Sequence, residues 1–268
     1  MLLFVPVRTD AYRERFPLGT VLLILANVAV FFLIRSGSIE DLSGWVLIYG
    51  ELSPAQWFTS VFTHFGWLHL IGNMVFLWCF GQVVEGVAGF WRFLGLYLLI
   101  GALQCGLEQG LVLLASPASG SPEVIGISYG ASAAIFGLLA VAMVWAPRTR
   151  IDTLFVYWVI VVAGARIGRV SLLVLGTAYL GLEVVGACLG ATELASGGQL
   201  PVTSALLHLS GAAVGLPLAL VLLRLNAVDC GGWDYFSRRQ RRAGSTGPVE
   251  IARKGWVPPP ERVAGRSE

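Results

Sequence analysis

The sequence predicts an all-α membrane protein, a bundle of six transmembrane helices with a long outer loop between the first two. Three observations support this. Apolar residues make up 56% of the chain and charged residues only 13%, with a mean hydropathy of +0.75. A soluble domain of 268 residues needs more charge than that to cover its surface. Apolar runs approaching the roughly 20 residues that cross a hydrocarbon core of about 30 Å recur along the chain. When six such runs are drawn, positive charge collects on one side of them.

The elements follow in order. "MLLFVPVRTDAYRERF" carries its charges ahead of the first apolar run, and no small-residue cleavage site follows. Residues 1–17 therefore read as a cytoplasmic N-terminal segment before a retained anchor. The spans are 18–34, 67–88, 91–114, 127–146, 170–190 and 203–224, within a membrane domain at 18–225. Residues 36–66 form the outer loop, and their apolar content ("GWVLIYGELSPAQWFTSVF") places it partly in the interface. "IDTLFVYWVIVVAGARIGR", 151–169, has a short apolar part and ends in Arg166 and Arg169, so it reads as an interfacial or re-entrant piece, with a seventh span as the alternative.

Charge argues against that seventh span. With the N-terminus inside, Arg8, Arg13, Arg15, Arg92, Arg148, Arg150, Arg166, Arg169 and the Arg-rich tail all fall inside, and only Arg35 falls outside. A seventh span would export Arg238, Arg239, Arg241 and Arg242, against the positive-inside rule. Residues 226–268, ending "WVPPPERVAGRSE", are polar, basic and Pro-containing, and are expected to be a disordered cytoplasmic tail. Cys79, Cys105 and Cys188 lie inside apolar runs and Cys230 beyond the last, with no zinc, redox or disulfide spacing.

Against this background "FTHFGWLHLIGNM", 62–74, stands out. Polar side chains inside a bilayer cost several kcal/mol unless partnered, so each is a functional candidate. His69 and Asn73 are four apart and share a face near the outer end of the second span; His64 precedes it. Ser132, in "YGASAAIFGLL", falls five residues below the outer start of the fourth span, about 8 Å at 1.5 Å per residue. His208, in "SALLHLSGAAVG", falls equally deep in the sixth. His208, Gly211, Ala212 and Gly215 share a face, and Gly130, Ala134 and Gly137 offer a matching one. Small residues there allow close helix approach and bring Ser132 towards His208.

A serine hydroxyl becomes a nucleophile when a base takes its proton, and an imidazole is the usual base. Asn73, His69 and the Ser132 amide could donate to the resulting oxyanion. Glu108 and Glu183 are intramembrane carboxylates with no evident partner, read as structural or as shaping water access. With no acid at the depth of the cluster, the reading is a Ser132–His208 dyad. Glu85, about 18 Å below Asn73 and on another face, reads as a packing or capping residue.

Three other readings compete. Ser132 by itself would be an ordinary helix serine bonding back to a carbonyl. Metal ligation by the three histidines would leave Ser132 and Asn73 without a role. A transporter or channel would put polar groups on broken helices at the midplane, whereas this cluster lies near one face.

At these residues the sequence resembles the rhomboid family of intramembrane serine proteases. The matching motifs are His64-x4-His69-x3-Asn73, Gly130-Ala131-Ser132-Ala133 and His208-x2-Gly211-x3-Gly215, in the family's order, and "GQVVEGVAG" resembles its end of the second helix. The resemblance covers roughly residues 50–225 and implies a rhomboid-like bundle. It implies Ser132 as nucleophile, His208 as general base, His69 and Asn73 at the oxyanion, and a structural role for His64 beside Gly130, Gly211 and Gly215. No metal and no cofactor are implied.

The implied substrates are transmembrane segments of other proteins in a lipid bilayer, with no nucleic acid; the oligomeric state stays open. The compact plan resembles bacterial members, so a bacterial inner membrane is the expected location. Two departures stand out: Ala133 occupies a position that is usually Gly, and Trp57-Phe58 lacks the arginine that often follows this Trp. The alternative is a catalytically inactive relative that binds transmembrane clients.

Overall fold

The computed structural model describes residues 2–10, 16–115, 126–159, 162–195, 203–232 and 234–237. In chain order these form β1 (Leu2–Thr9), α1 (Leu18–Arg35), β2 (Leu47–Ile48), α2 (Pro54–Thr59), a 3-10 turn (Ser60–Phe62), α3 (Trp67–Ala88) and α4 (Phe90–Ala115). There follow β3 (Ile127–Ser128), α5 (Ser132–Trp145), β4 (Arg150–Val159), β5 (Val162–Ser171), α6 (Leu172–Ala195) and α7 (Ser204–Arg224). The expectations for Arg13 and Arg15 and for the tail beyond 237 lie outside the described residues.

Among the described residues, α1, α3, α4, α6 and α7 are long and apolar enough to cross a membrane. Their outward faces expose large apolar side chains such as Leu25, Leu111, Val185 and Val221, as a lipid-facing surface requires. The spans expected for these five agree with the helices to within about five residues, α6 running on to Ala195.

The fourth expected span is different. α5 has 14 residues, about 21 Å at 1.5 Å per residue and short of a hydrocarbon core. From Ala133 to Trp145 every residue except Met143 is buried, so α5 is the axis of the bundle and barely faces lipid. It starts at Ser132, not at 127. Ile127 and Ser128 instead pair antiparallel with Ile48 and Leu47 of the outer loop, and the Gly130 amide donates to the Ser60 carbonyl at 2.9 Å. These ties hold the preceding backbone extended and delay the helix.

Within 151–169 the described residues form two paired strands rather than a simple interfacial or re-entrant segment. β4 and β5 pair antiparallel, and β1 from the N-terminal segment adds to β4, giving the order β1-β4-β5. Its β-branched and aromatic residues favour strands. Gly164 and Gly168 let the rings of Tyr157 and Phe155 lie flat across the neighbouring strand, and Arg169 Nε pairs with Asp152 at 2.9 Å. The bundle thus carries a small sheet that an all-α reading omits.

Two buried polar devices position the rest. Glu85, near the end of α3, accepts from the Gly19 and Thr20 amides at 2.8 Å each and from Thr20 Oγ1 at 2.7 Å. A carboxylate at the N-terminus of α1 satisfies donors that the helix leaves unpaired. In α4, Gln109 Oε1 accepts from Trp57 Nε1 at 2.6 Å, and its Nε2 donates to the Ile48 carbonyl at 2.8 Å and to Gln56 Oε1 at 3.0 Å. Gln109 thereby anchors the outer loop at the Trp57 that lacks its arginine.

Candidate active site

α3, α5 and α7 begin at the same end of the bundle, and His69, Ser132 and His208 sit within their first turns or so. All three, with Asn73, Tyr129 and Glu183, line one cleft of about 540 Å³. The structure therefore brings the sequence-selected serine, two of the histidines and the asparagine together. Ser132 is the first residue of its helix, five residues nearer the helix start than expected.

α5 and α7 form the most extensive helix contact in the bundle. A methyl group at Gly211 would overlap the Ala133 carbonyl, and one at Gly215 would overlap the Gly137 carbonyl. Only glycine lets these backbones approach so closely. The seam on α5 is thus Ala133 and Gly137, not the expected Gly130, Ala134 and Gly137: Gly130 precedes the helix and Ala134 faces Gly101 of α4. Further along, Trp145 Nε1 donates to the Ala219 carbonyl at 3.0 Å. This seam fixes Ser132 and His208 relative to one another.

Gly130 has a different task. Its φ is +117°, and a Cβ there would lie 2.8 Å from His69 Cε1 and 3.0 Å from Nε2. The turn into α5 therefore needs glycine both for its backbone and to admit the His69 ring. Ala131 is the N-cap and, among the described residues, no side chain caps this end, leaving the first-turn amides of α5 available to meet a negative charge in the cleft.

His69 is held between rings, 4.9 Å from His64 and 5.8 Å from Tyr129 between centroids. Asn73 donates from Nδ2 to the His69 carbonyl at 2.9 Å, which leaves its second N–H for another acceptor. His64 is fully buried behind them; its Nδ1 donates to the Phe62 carbonyl at 3.4 Å and its Nε2 has no partner among the described residues. Burial, assisted by neighbouring His69, pushes the His64 imidazole down to about 4.

His208 is fixed in two directions. Its ring stacks on Phe136 of α5 at 4.3 Å with the planes 4° apart. Its Nδ1 donates to Glu183 Oε1 of α6 at 2.9 Å. That contact corrects the expectation that no acid reaches the cluster and that Glu183 has no partner. The signal was present: counted from the expected outer ends of their spans, Glu183 and His208 differ by two residues, about 3 Å of depth.

A serine that shares a cleft with an oriented imidazole, helix-start amides and an asparagine N–H is a set of groups suited to acyl transfer. Glu108, the other unassigned carboxylate, accepts from the Tyr49 hydroxyl and, at 2.9 Å, from Gln104 Nε2.

Comparison with known proteins gives a consistent result. The rhomboid domain matches residues 52–225. Rhomboid-like protein 11, chloroplastic, from Arabidopsis thaliana is 26% identical over 76% of this chain and 65% of its own length. The human presenilin-associated rhomboid-like protein, mitochondrial, is 30% identical over 50% of this chain and 34% of its own. Rhomboid protease GlpG of Pectobacterium atrosepticum is 30% identical over 34% of this chain and 33% of its own. This chain thus spans less than two thirds of the length of each. The organelle names do not support the expected bacterial inner membrane.

Proposed function

The chain belongs to the rhomboid family, and on that premise we propose that it is an intramembrane serine endopeptidase, cutting peptide bonds in or near transmembrane helices of other proteins. The observation that supports this most is the shared cleft of Ser132 and His208, with the uncapped start of α5 beside them. Ser132 Oγ attacks the substrate carbonyl while His208 Nε2 takes its proton. The first-turn amides of α5, with His69 and Asn73, donate to the oxyanion. His208 then gives the proton to the departing amine as the C–N bond breaks. A water molecule, deprotonated by the same nitrogen, releases the acyl group and restores Ser132.

The basic end of the bundle, with Arg92, Arg148 and Arg150, faces the compartment favoured by the positive-inside rule. The cleft then opens towards the opposite face, where water is available. A second reading, a relative that binds transmembrane clients without cutting them, draws on Ala133 in the α5–α7 seam.

The test is cleavage of a transmembrane reporter by the full chain in reconstituted vesicles. Wild type should cut, and Ser132→Ala and His208→Ala should each lose activity by about 10³-fold or more. A fluorophosphonate should label Ser132 in the wild type. Wild type that neither cuts nor labels favours the client-binding reading; continued cutting by Ser132→Ala overturns the nucleophile.

A further inference from the structure

Building on the Ser132–His208 reading, we infer that Glu183 completes it as a positioning residue, making the site a Ser132–His208–Glu183 arrangement drawn from α5, α7 and α6. Glu183 lies in a helix whose apolar stretch has a mean hydropathy of 1.9, where a carboxylate without a partner is costly. It is aimed at the His208 ring, with Oε1 2.9 Å from Nδ1. Its side chain is 21% exposed and that of His208 17%, so both border the cleft rather than lying sealed beneath it.

The chemistry follows from donor and acceptor roles. An ionised carboxylate only accepts, so Nδ1 must carry the proton and the neutral ring keeps its lone pair on Nε2. Nε2 is the atom that must take the Ser132 proton. The Glu183 bond fixes the ring in its plane, and Phe136 stacking fixes the plane itself. When Oγ bonds to the substrate carbon, its proton moves to Nε2, and the resulting imidazolium is balanced by the Glu183 carboxylate. Glu183 stays ionised throughout. When the C–N bond breaks, the proton passes from Nε2 to the amine, and the ring returns to its starting tautomer. Acylation needs no further reactant, water then releases the acyl group from Ser132 through the same Nε2, and Glu183 acts on the substrate only through His208.

A purely structural pair would join α6 to α7 and leave the chemistry alone. The test separates the two roles by measuring kcat, KM, the rate of fluorophosphonate labelling of Ser132 and the unfolding midpoint in the vesicle-reconstituted full chain. Glu183→Gln should lower kcat and labelling together by about 10²- to 10⁴-fold, with KM within about twofold. Glu183→Asp should recover at least about a tenth of the lost rate, because it restores an anionic acceptor.

Glu183→Gln with kcat within about threefold of wild type, while Ser132→Ala and His208→Ala are inactive, overturns the inference and leaves the dyad intact. A lowered unfolding midpoint with kcat per folded molecule unchanged, and no recovery by Asp, also overturns it. Cutting by Ser132→Ala overturns the reading beneath it.

Discussion

The two sides of the active-site cleft are built differently. On one side α5 and α7 meet backbone to backbone, Gly211 against Ala133 and Gly215 against Gly137, with a Trp145 hydrogen bond further along. On the other, α3 and α6 are bridged by side chains. The Phe76 ring lies edge-on to Tyr179 at 5.0 Å, and Tyr179 also packs on Phe4 of β1 at 4.8 Å and donates to its carbonyl at 2.6 Å. A seam of touching backbones cannot shift without overlap, whereas aromatic side chains can change rotamer. Motion of α3 against α6 should therefore cost less than motion of α5 against α7. Ser132 and His208 are mounted on the rigid side.

The largest effect should come from breaking the seam. Gly215→Val places a Cβ, which already overlaps the Gly137 carbonyl, and two further methyl groups in the seam, and the cost should reach about 3 kcal/mol or more, the upper range for overpacking. Thermal unfolding in detergent should show a midpoint lowered by several degrees, with reporter cleavage lost. A Gly215→Val protein with wild-type stability and activity would show that the seam is slack.

Gly130→Ala tests the turn that delivers Ser132. A non-glycine residue at φ +117° is strained by about 1–3 kcal/mol, and the added methyl presses on the His69 ring. Displacing groups at the oxyanion by about 1 Å can cost 10²-fold in rate, so cleavage should fall by about that factor while the fold survives. Unchanged kcat would remove His69 and this turn from the oxyanion site.

What the sequence revealed divides along the same line. The α7 half of the seam was legible because Gly211, Gly215 and His208 repeat at helical spacing within one span, and the His69–Asn73 face was legible for the same reason; the α5 half was misplaced, with Ala133 where Gly130 and Ala134 were expected. The start of α5 was not. It depends on pairing with Leu47 and Ile48 and on the Ser60 carbonyl, about 70 to 80 residues earlier in the chain. The β1–β4 ladder joins segments about 150 residues apart, and an apolar run of that length suits strand or interfacial helix equally well. Glu183 was visible as a carboxylate at nearly the depth of His208, but its pairing depends on which face α6 turns towards α7, which spacing along the chain does not set.

His64 offers a smaller, pH-dependent effect behind the rigid side. Its folded-state value of about 4 lies below the ordinary 6.5, so the unfolded chain binds the proton first as pH falls. Its contribution to stability should be full above about 6.5, decline between about 6.5 and 4, and level off below that. The unfolding midpoint measured across this range should fall less steeply for His64→Leu than for wild type. Parallel curves would mean that the His64 imidazole is not held neutral in the fold.

The smallest effect should lie on the side bridged by rings. Tyr179→Phe keeps the ring against Phe76 and Phe4 and removes only the hydroxyl that donates to the Phe4 carbonyl. One hydrogen bond between uncharged groups contributes about 1 kcal/mol, so global unfolding should move little. The change should instead appear locally: amide exchange across β1 should quicken by about fivefold, the equivalent of 1 kcal/mol, while exchange in α5 and α7 stays as slow as before. Equal acceleration in all three elements would show that the two sides open as one unit, removing the division between a fixed seam and a more movable side. No acceleration in β1 would mean that its pairing with β4 alone holds it in place, and that Tyr179 serves the cleft through its ring.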